Sequence, residues 1–247
     1  FCMMCVMEAH INKVLHSSAS AIQPRAVVNV LTRKSFQVLL HVFFPSCRGE
    51  QLTSSFDIFS QATTIVHQIF GGFLRSRVTC LSCKAISDTY EAFLDIPLDI
   101  KAASSVTGAL EDFVKPEQLD GENGYKCSKC EQLATASKRL TIHCSSNVLT
   151  VCLKRFDAFS GRKISKVVQY PEYLDLGAYM SQAAGEPLLY SLYAFLVHEG
   201  FSCQAGHYYC FVKASDGCWY KMNDASVGLC DIKTVLCQRA YLLFYAR

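Results

Sequence analysis

Short apolar stretches separated by turn residues dominate the carboxy-terminal half of this chain. Their β-branched and aromatic residues predict strands at 190–197, 207–212, 218–222 and 241–245. Asp216-Gly217 lies between two of these strands and is a strong hairpin signal. The run from Asn147 to Phe156 is apolar on both faces, which predicts an internal strand. The pattern therefore predicts an antiparallel sheet with few helices.

The middle of the chain combines strand and helix signals. Residues 64–70 predict a short strand or helix, and Phe73 to Thr79 predicts a strand. The segment from Phe93 to Ile100 alternates apolar and acidic residues, and Pro97 places this predicted strand at an edge or a bulge. Ser105 predicts the N-cap of a helix whose apolar face is formed by Val106, Ala109, Leu110 and Phe113.

The first 60 residues are harder to interpret. Val6, Ile11, Val14 and Leu15 follow helical spacing and predict a packed helix that ends near His16. Residues 38–44 predict a buried strand or helix fragment, and we find no candidate chemistry in residues 27–60. Because Phe1 is not an initiator methionine, we expect further sequence to precede it.

Composition narrows the possible functions. With 247 residues, 51% of them hydrophobic, the chain can bury a large core, as one domain or two. The formal net charge of +3 is small and scattered, which argues against a nucleic-acid surface. No apolar stretch approaches the roughly 20 residues of a membrane span. Several of the 14 cysteines stand alone in apolar runs, and no signal peptide opens the chain, so we expect a reducing, intracellular compartment.

Two distant Cys-x-x-Cys pairs carry the sharpest chemical signal. Cys80 and Cys83 form the first pair, and Cys127 and Cys130 form the second, with residues 84–126 between them. Two such turns brought together offer four thiolates in the tetrahedral set that structural zinc prefers. We therefore predict a zinc ion that joins two hairpins of a larger domain. The alternative is two unrelated pairs of buried thiols.

A histidine on one predicted strand and polar residues on the next form a second constellation. His207 begins one strand of the Asp216-Gly217 hairpin, and Asn223 and Asp224 end the other. The hairpin can bring Asn223 to the imidazole, where its oxygen would orient the ring as in a thiol-hydrolase centre. A solvated surface histidine is the alternative interpretation.

Several motifs together resemble the ubiquitin-specific protease family of thiol hydrolases. They include Gln68 to Gly72 running into Cys80 and Cys83, Phe93 to Leu98, and Leu153 to Phe156. The set continues with Ala205 to Tyr209, Trp219 to Asp224 and Ala240 to Tyr245. These motifs follow family order from Gln61 to Arg247. The opening residues and Met180-Ser181-Gln182 are most similar to the branch numbered thirty-six and forty-two, whose members are largely nuclear.

The resemblance implies an α+β, papain-like fold with fingers, palm and thumb. Residues 61–247 would form the fingers and palm, and residues 1–60 an incomplete and divergent thumb. It implies His207 as general base, Asn223 as its orienting residue and Asp224 as a neighbouring polar support. It places the structural zinc on the four cysteines of the two pairs. Ubiquitin and ubiquitinated proteins become the expected partners, and an intracellular location, nuclear, nucleolar or cytosolic, becomes the expected one.

The chain departs from this family in two places. The nucleophile box of the form Asn-x-Gly-Asn-Thr-Cys does not occur in it, and residues 30–36 stand where an acidic box is expected. Cys210 is a poor substitute nucleophile, because strand alternation turns it away from His207. Cys203 lacks the helix N-terminus that lowers a thiol pKa. We therefore predict an inactive deubiquitinase domain; the alternative is a non-catalytic ubiquitin-binding remnant or pseudoenzyme.

Overall fold

The computed structural model describes residues 65–157, 162–182, 185–202 and 205–247. The predicted thumb segment 1–60, with its expected helix near His16 and the apolar run 38–44, lies outside the described residues. Cys203 lies outside them as well. Within the described ranges, strands dominate and helices are short, in agreement with the predicted α+β class.

The secondary-structure elements follow in chain order. The helices are α1 (Ile65–Phe70), α2 (Val106–Phe113) and α3 (Ile232–Leu236), with 3-10 turns at Gly121–Asn123 and Gly177–Tyr179. The first strands are β1 (Gly72–Cys80), β2 (Ile86–Phe93), β3 (Ile96–Leu98), β4 (Glu117–Leu119), β5 (Tyr125–Cys127), β6 (Gln132–Ala134) and β7 (Ala136–Cys144). The later strands are β8 (Val148–Leu153), β9 (Tyr173–Asp175), β10 (Leu189–Ser202), β11 (Ala205–Lys213), β12 (Trp219–Asn223), β13 (Ser226–Cys230) and β14 (Ala240–Ala246).

A four-stranded antiparallel sheet carries the first cysteine pair. Its strand order is β2-β1-β7-β4, and Cys80 at the end of β1 pairs with Ala136 at the start of β7. The small hairpin of β5 and β6 adjoins this end and carries the second pair. The two cysteine pairs therefore lie at the same end of the sheet.

The larger sheet of the described structure has eight strands. Its order is β13-β12-β11-β10-β14-β8-β3, and β9 pairs with β10. All pairings are antiparallel except that of β3 with β8. The predicted internal strand is β8, which is buried along most of its length. The strands predicted in the carboxy-terminal half are confirmed, although β10 runs five residues past its predicted end at Val197.

The single strand predicted from Phe93 to Ile100 is wrong. Strand β2 ends at Phe93 in the four-stranded sheet, and β3 begins at Ile96 in the other sheet. The chain crosses between sheets at Leu94-Asp95, so the alternation spans two elements. The position of Pro97 on an edge strand is confirmed for the described residues, among which β3 is the outermost strand of its sheet.

Helix α2 follows its predicted capping and burial. The hydroxyl of Ser105 accepts a hydrogen bond from the amide of Gly108 at 3.1 Å. Val106, Ala109 and Leu110 are buried, and Phe113 packs against the same core. In the described ranges, no helix is both long enough and apolar enough to span a membrane.

A buried arginine just after β8 joins the start of β14 to the segment 164–166. Arg155 is only 1% exposed, and its guanidinium donates to the carbonyls of Ala240 at 2.6 Å, Ile164 at 3.0 Å and Lys166 at 2.9 Å. Burial lowers the pKa of Arg155 to about 10, which leaves the group charged at neutral pH. The Leu153 to Phe156 motif thus has a structural role at Arg155.

Candidate functional site

The two cysteine pairs adopt the same local backbone geometry. The amide of Lys84 donates to the carbonyl of Cys80 at 3.0 Å, and the amide of Glu131 donates to the carbonyl of Cys127 at 2.8 Å. Lys84 and Glu131 each follow the second cysteine of a pair and have positive φ values of 62° and 57°. Non-glycine residues rarely adopt this conformation, so its repetition indicates two turns built for the same purpose.

The structure brings all four sulfurs together. The Sγ atoms of Cys80 and Cys130 are 3.8 Å apart, those of Cys83 and Cys127 are 3.6 Å apart, and all four lie within 4.8 Å of one another. A tetrahedral ion with metal–sulfur bonds of about 2.3 Å separates its ligands by roughly 3.8 Å. The four cysteines therefore have the spacing to hold one metal ion.

The electrostatics of this cluster favour a bound cation. A backbone hydrogen bond from Cys83 is the largest cause that lowers the pKa of Cys80, to about 6. The thiolate formed there is the metal-binding form of cysteine. The pKa of Cys130 is raised, first by its contact with Cys83 and then by burial. Several thiolates can be charged together at this spacing only when a cation neutralises them.

The second candidate site lies on the hairpin of β11 and β12. The amide of Ala214 donates to the carbonyl of Cys218 at 2.8 Å, which closes the connecting turn. Gly217 has a φ of +84°, a conformation that side chains disfavour. The predicted Asp216-Gly217 turn is confirmed. It sets the register in which Cys210 pairs with Met222 and Phe211 with Lys221.

This register brings His207 and Asn223 together. By strand alternation, His207, Tyr209 and Asn223 share one face of the hairpin, with Asn223 at the level of Tyr209. The Nε2 atom of His207 and the Oδ1 atom of Asn223 are 2.5 Å apart. Nε2 is therefore the donor and Asn223 the acceptor, which leaves Nδ1 as the nitrogen able to take a proton.

Asp224 lies close to the same ring but does not hold it. Its Oδ2 is 4.0 Å from Nε2 of His207, beyond hydrogen-bond length, and its side chain is 83% exposed. Asp224 occupies a turn with a φ of +49°, and this turn leads into β13, a strand that the sequence analysis did not predict. The His207 side chain is 45% exposed, so the pair is open to solvent.

Close backbone packing positions His207 within the sheet. A side chain at Gly206 would place its Cβ 2.3 Å from both the Glu199 carbonyl and Nε2 of His198. The absence of a side chain at Gly206 thus lets β10 and β11 approach. His198 is buried against the rings of Tyr208 and Phe156, at centroid distances of 4.6 Å and 5.3 Å.

Three further residues surround the pair and were missed by sequence reasoning. Glu199 is the register partner of His207, and Tyr209 donates its hydroxyl to Oε1 of Glu199 at 3.1 Å. The Nζ atom of Lys221 lies 4.1 Å from the centroid of the Tyr209 ring. Strand alternation identifies Tyr209 and Lys221 as neighbours of the site, but only the β10/β11 register identifies Glu199.

Cys210 is placed as expected. It is three residues from His207 on β11, and its register partner is Met222. Strand alternation therefore puts Cys210 on the opposite face from His207 and Asn223. Burial raises the pKa of this thiol, which disfavours the reactive thiolate. The catalytic roles of His207, Asn223 and Asp224 themselves remain predictions.

Comparison with known proteins identifies the family. The model of the family described as ubiquitin carboxyl-terminal hydrolase matches residues 2–245. The chain belongs to the ubiquitin-specific protease family. The match covers more of the chain than the motifs from Gln61 onward, on which the resemblance rested.

Two human relatives illustrate how the chain compares with other ubiquitin-specific proteases. Ubiquitin carboxyl-terminal hydrolase 42 is 54% identical over 261 residues, which cover 100% of this chain and 20% of the relative. Ubiquitin carboxyl-terminal hydrolase 17-like protein 6 is 49% identical over 250 residues, covering 99% of this chain and 63% of the relative. The chain thus spans between a fifth and about three fifths of the length of these two proteins.

Solved structures confirm the ubiquitin-specific protease fold. A structure of the yeast SAGA DUBm superimposes with a TM-score of 0.76 at 30% identity, covering 99% of this chain and 57% of that chain. A SAGA DUB module of Ubp8, Sgf11, Sus1 and Sgf73 bound to monoubiquitin gives 0.71 at 31% identity, covering 99% and 52%. The fold is therefore that of a ubiquitin-specific protease domain, as the sequence motifs implied.

Proposed function

We propose that this chain is the ubiquitin-recognising domain of a thiol deubiquitinase, and that the 247-residue chain binds ubiquitin without cleaving it. The observation that carries the proposal is the contact between Nε2 of His207 and Oδ1 of Asn223, because it leaves Nδ1 free as a base. Family membership gives the reaction class. A related SAGA DUB module bound to monoubiquitin supports ubiquitin as the partner.

In the proposed reaction, His207 is the general base and Asn223 its orienting residue. Nδ1 of His207 takes the proton of a cysteine thiol, and the thiolate attacks the carbonyl carbon of ubiquitin's terminal glycine. The amine leaves with the proton from the imidazolium, and a thioester joins ubiquitin to the cysteine. Water then hydrolyses the thioester and regenerates the thiol. Asp224 is a nearby polar support for this pair.

The missing partner is the thiol. No Asn-x-Gly-Asn-Thr-Cys string occurs in the 247 residues, and Cys210 belongs to the opposite strand face. A nucleophile has to lie within about 3 Å of its base, and among the described residues we assign only the base half of the centre. The second candidate function, an active deubiquitinase that uses another cysteine of the chain as its nucleophile, is supported by the high identity to relatives named as hydrolases.

A ubiquitin derivative with a thiol-reactive carboxy terminus separates these two functions. We expect the chain to bind this probe in a calorimetric titration, and we expect no covalent adduct by intact-mass spectrometry. An adduct that disappears in His207→Ala would establish the active alternative. Absence of any binding would refute ubiquitin recognition itself.

A chimaera with the family's cysteine box placed ahead of this sequence tests the base directly. In it, His207→Ala should abolish turnover, while ubiquitin affinity changes little because the ring is an exposed group that serves the chemistry. Asn223→Ala should lower kcat more than it raises KM, since it frees the imidazole to rotate. Equal turnover with and without His207 would exclude its role as base.

We further propose that the ion held by the four cysteines is zinc, because a closed set of four thiolates is the usual structural zinc site. An intracellular location, nuclear or cytosolic, is proposed from the similarity to hydrolase 42 and to its branch of the family. Imaging of the tagged full-length protein tests the location. A gel shift with duplex DNA at physiological salt should show no band, because the net charge is only +3.

A further inference from the structure

A carboxylate faces His207 from the neighbouring strand. In the β10/β11 register, Glu199 is the direct partner of His207, so both side chains project from the same face. Directly paired residues of antiparallel strands have Cα atoms about 4.5 to 5.5 Å apart. A glutamate side chain at that position can reach the imidazole.

Such a carboxylate competes with Asn223. An ionised carboxylate accepts a stronger hydrogen bond than a neutral amide does. If Glu199 accepted the hydrogen bond from Nε2, the ring would leave Asn223 and turn its Nδ1 away from its present direction. An imidazole turned in this way would no longer present Nδ1 as the base.

In the structure, Tyr209 engages this carboxylate. Its hydroxyl donates to Oε1 of Glu199 at 3.1 Å, across the diagonal of the strand pair. The tyrosine is itself held firmly, being 8% exposed and lying under Nζ of Lys221 at 4.1 Å. Burial is the largest cause that raises the pKa of Tyr209, to about 12, so the hydroxyl remains a donor at neutral pH.

The other charged groups near the ring do not replace this contact. Asp224 is 4.0 Å from Nε2 and largely exposed. Lys163 lies within electrostatic range of Glu199, but its ammonium donates to the carbonyl of His198. Tyr209 is therefore the described side chain that donates a hydrogen bond to the Glu199 carboxylate.

We propose that Tyr209 is a positioning residue that holds Glu199 away from His207, so that Asn223 keeps the imidazole. The inference rests on the proposed function, in which His207 is the base. The proposal has a direct consequence. Loss of the Tyr209 hydroxyl should disturb the His207–Asn223 contact only while a carboxylate is present at position 199.

Long-range ¹H–¹⁵N correlation spectra of the His207 ring test this in the protein as it is. The unmodified chain should give the ring-nitrogen pattern of an imidazole whose Nε2 donates to the Asn223 oxygen. Tyr209→Phe retains the ring under Lys221 and should shift the Nε2 resonance, because the acceptor of Nε2 would change from the Asn223 amide to the Glu199 carboxylate. Adding Glu199→Gln to Tyr209→Phe should restore the original pattern, which a merely structural role of the hydroxyl would not produce.

Tyr220→Phe is the matched control. Tyr220 lies on β12, and its hydroxyl also contacts a carboxylate, that of Asp216, at 3.5 Å. It should leave the His207 spectrum unchanged. An unaltered spectrum in Tyr209→Phe, or a double variant that does not recover, would overturn the proposal. Ubiquitin titration is the separate readout: a chain that fails to bind ubiquitin refutes the proposed function and leaves the spectral result standing.

Discussion

The two ends of the four-stranded sheet are held together by different means. Near the larger sheet, Leu74, Phe93 and Ile142 join a core of some thirty buried residues that includes Tyr190, Phe195 and Tyr245. At the far end, the buried cluster contains only Cys80, Cys127 and Ala134, with Cys83 and Cys130 packed beside it. A cluster this small buries too little apolar surface to order two turns. One end is therefore stabilised by packing, and we expect the other to be stabilised by a metal bound to its sulfurs.

Removal of the proposed zinc should have the largest effect, and this effect should be confined to the end of the sheet that carries the four cysteines. Structural zinc binding contributes on the order of 10 kcal/mol in small sites, and this contribution is lost when the metal is removed. Chelation or Cys127→Ser should therefore unfold the β5/β6 hairpin while the larger sheet persists. Hydrogen exchange resolved by segment, together with metal content by elemental analysis, measures both effects.

Cys144→Ser is the matched control for that experiment. Cys144 is an exposed cysteine at the end of β7, outside the four-sulfur cluster, and its replacement should preserve one bound metal per chain. Equal metal content in Cys127→Ser and in the unmodified chain would show that the four sulfurs do not share an ion.

The largest effect at the packed end should come from Arg155. Replacing it by methionine leaves three backbone carbonyls without their donor, and each buried acceptor left unsatisfied costs about 1 to 3 kcal/mol. We expect Arg155→Met to lower the free energy of unfolding by about 4 kcal/mol. Arg155→Lys should lose less, because an ammonium still reaches some of these carbonyls. Urea denaturation of both variants measures the difference, and a loss equal in both would contradict the bridging role.

A smaller loss should follow from removing the cap of α2. Ser105→Ala should cost about 1 kcal/mol, since the amide of Gly108 loses its acceptor. Ser104→Ala is the control, because the neighbouring Ser104 is exposed and is not the N-cap residue. Urea denaturation compares the two variants. Equal free energies of unfolding would show that the Ser105 cap does not stabilise α2.

The smallest expected effect concerns the ion pair between Arg77 and Asp88 on β1 and β2. The hydrogen bond from Arg77 holds the pKa of the Asp88 carboxyl below its ordinary value, and the two contacts measure 2.6 and 2.7 Å. A depressed folded-state pKa adds stability above the unfolded value of about 3.9, and this stability is lost as the pH falls through the folded value. Asp88→Asn should therefore be slightly less stable than the unmodified chain at pH 7, and the difference should shrink as the pH falls below about 3.9. A gap that persists in acid would point to packing instead.

Local patterns predicted the parts of this structure that depend on neighbouring residues. The hairpin at Asp216-Gly217, the cap at Ser105 and the buried strand β8 each follow from residues within a few positions of one another. The two cysteine pairs were also recognisable, because Cys-x-x-Cys is a turn with its own sequence signature. The proximity of His207 to Asn223 followed from the hairpin register alone.

What the sequence could not provide depends on pairing between distant segments. Glu199 faces His207 only because β10 pairs with β11 in one particular register, and a shift of one residue would turn Glu199 to the other face. The division of the segment from Phe93 to Ile100 between two sheets likewise depends on which strands lie alongside. The parallel pairing of β3 with β8 has no local signal at all.

Both members of the His207–Asn223 pair belong to one continuous hairpin, which closes through a single turn at Gly217. The two residues and the turn between them lie within the seventeen residues 207–223. Their contact therefore does not require the segment that would supply the nucleophilic cysteine. If His207 is the base, as proposed, the chain can be tested by fragment complementation, in which a separate peptide bearing a reactive cysteine docks beside the His207–Asn223 pair.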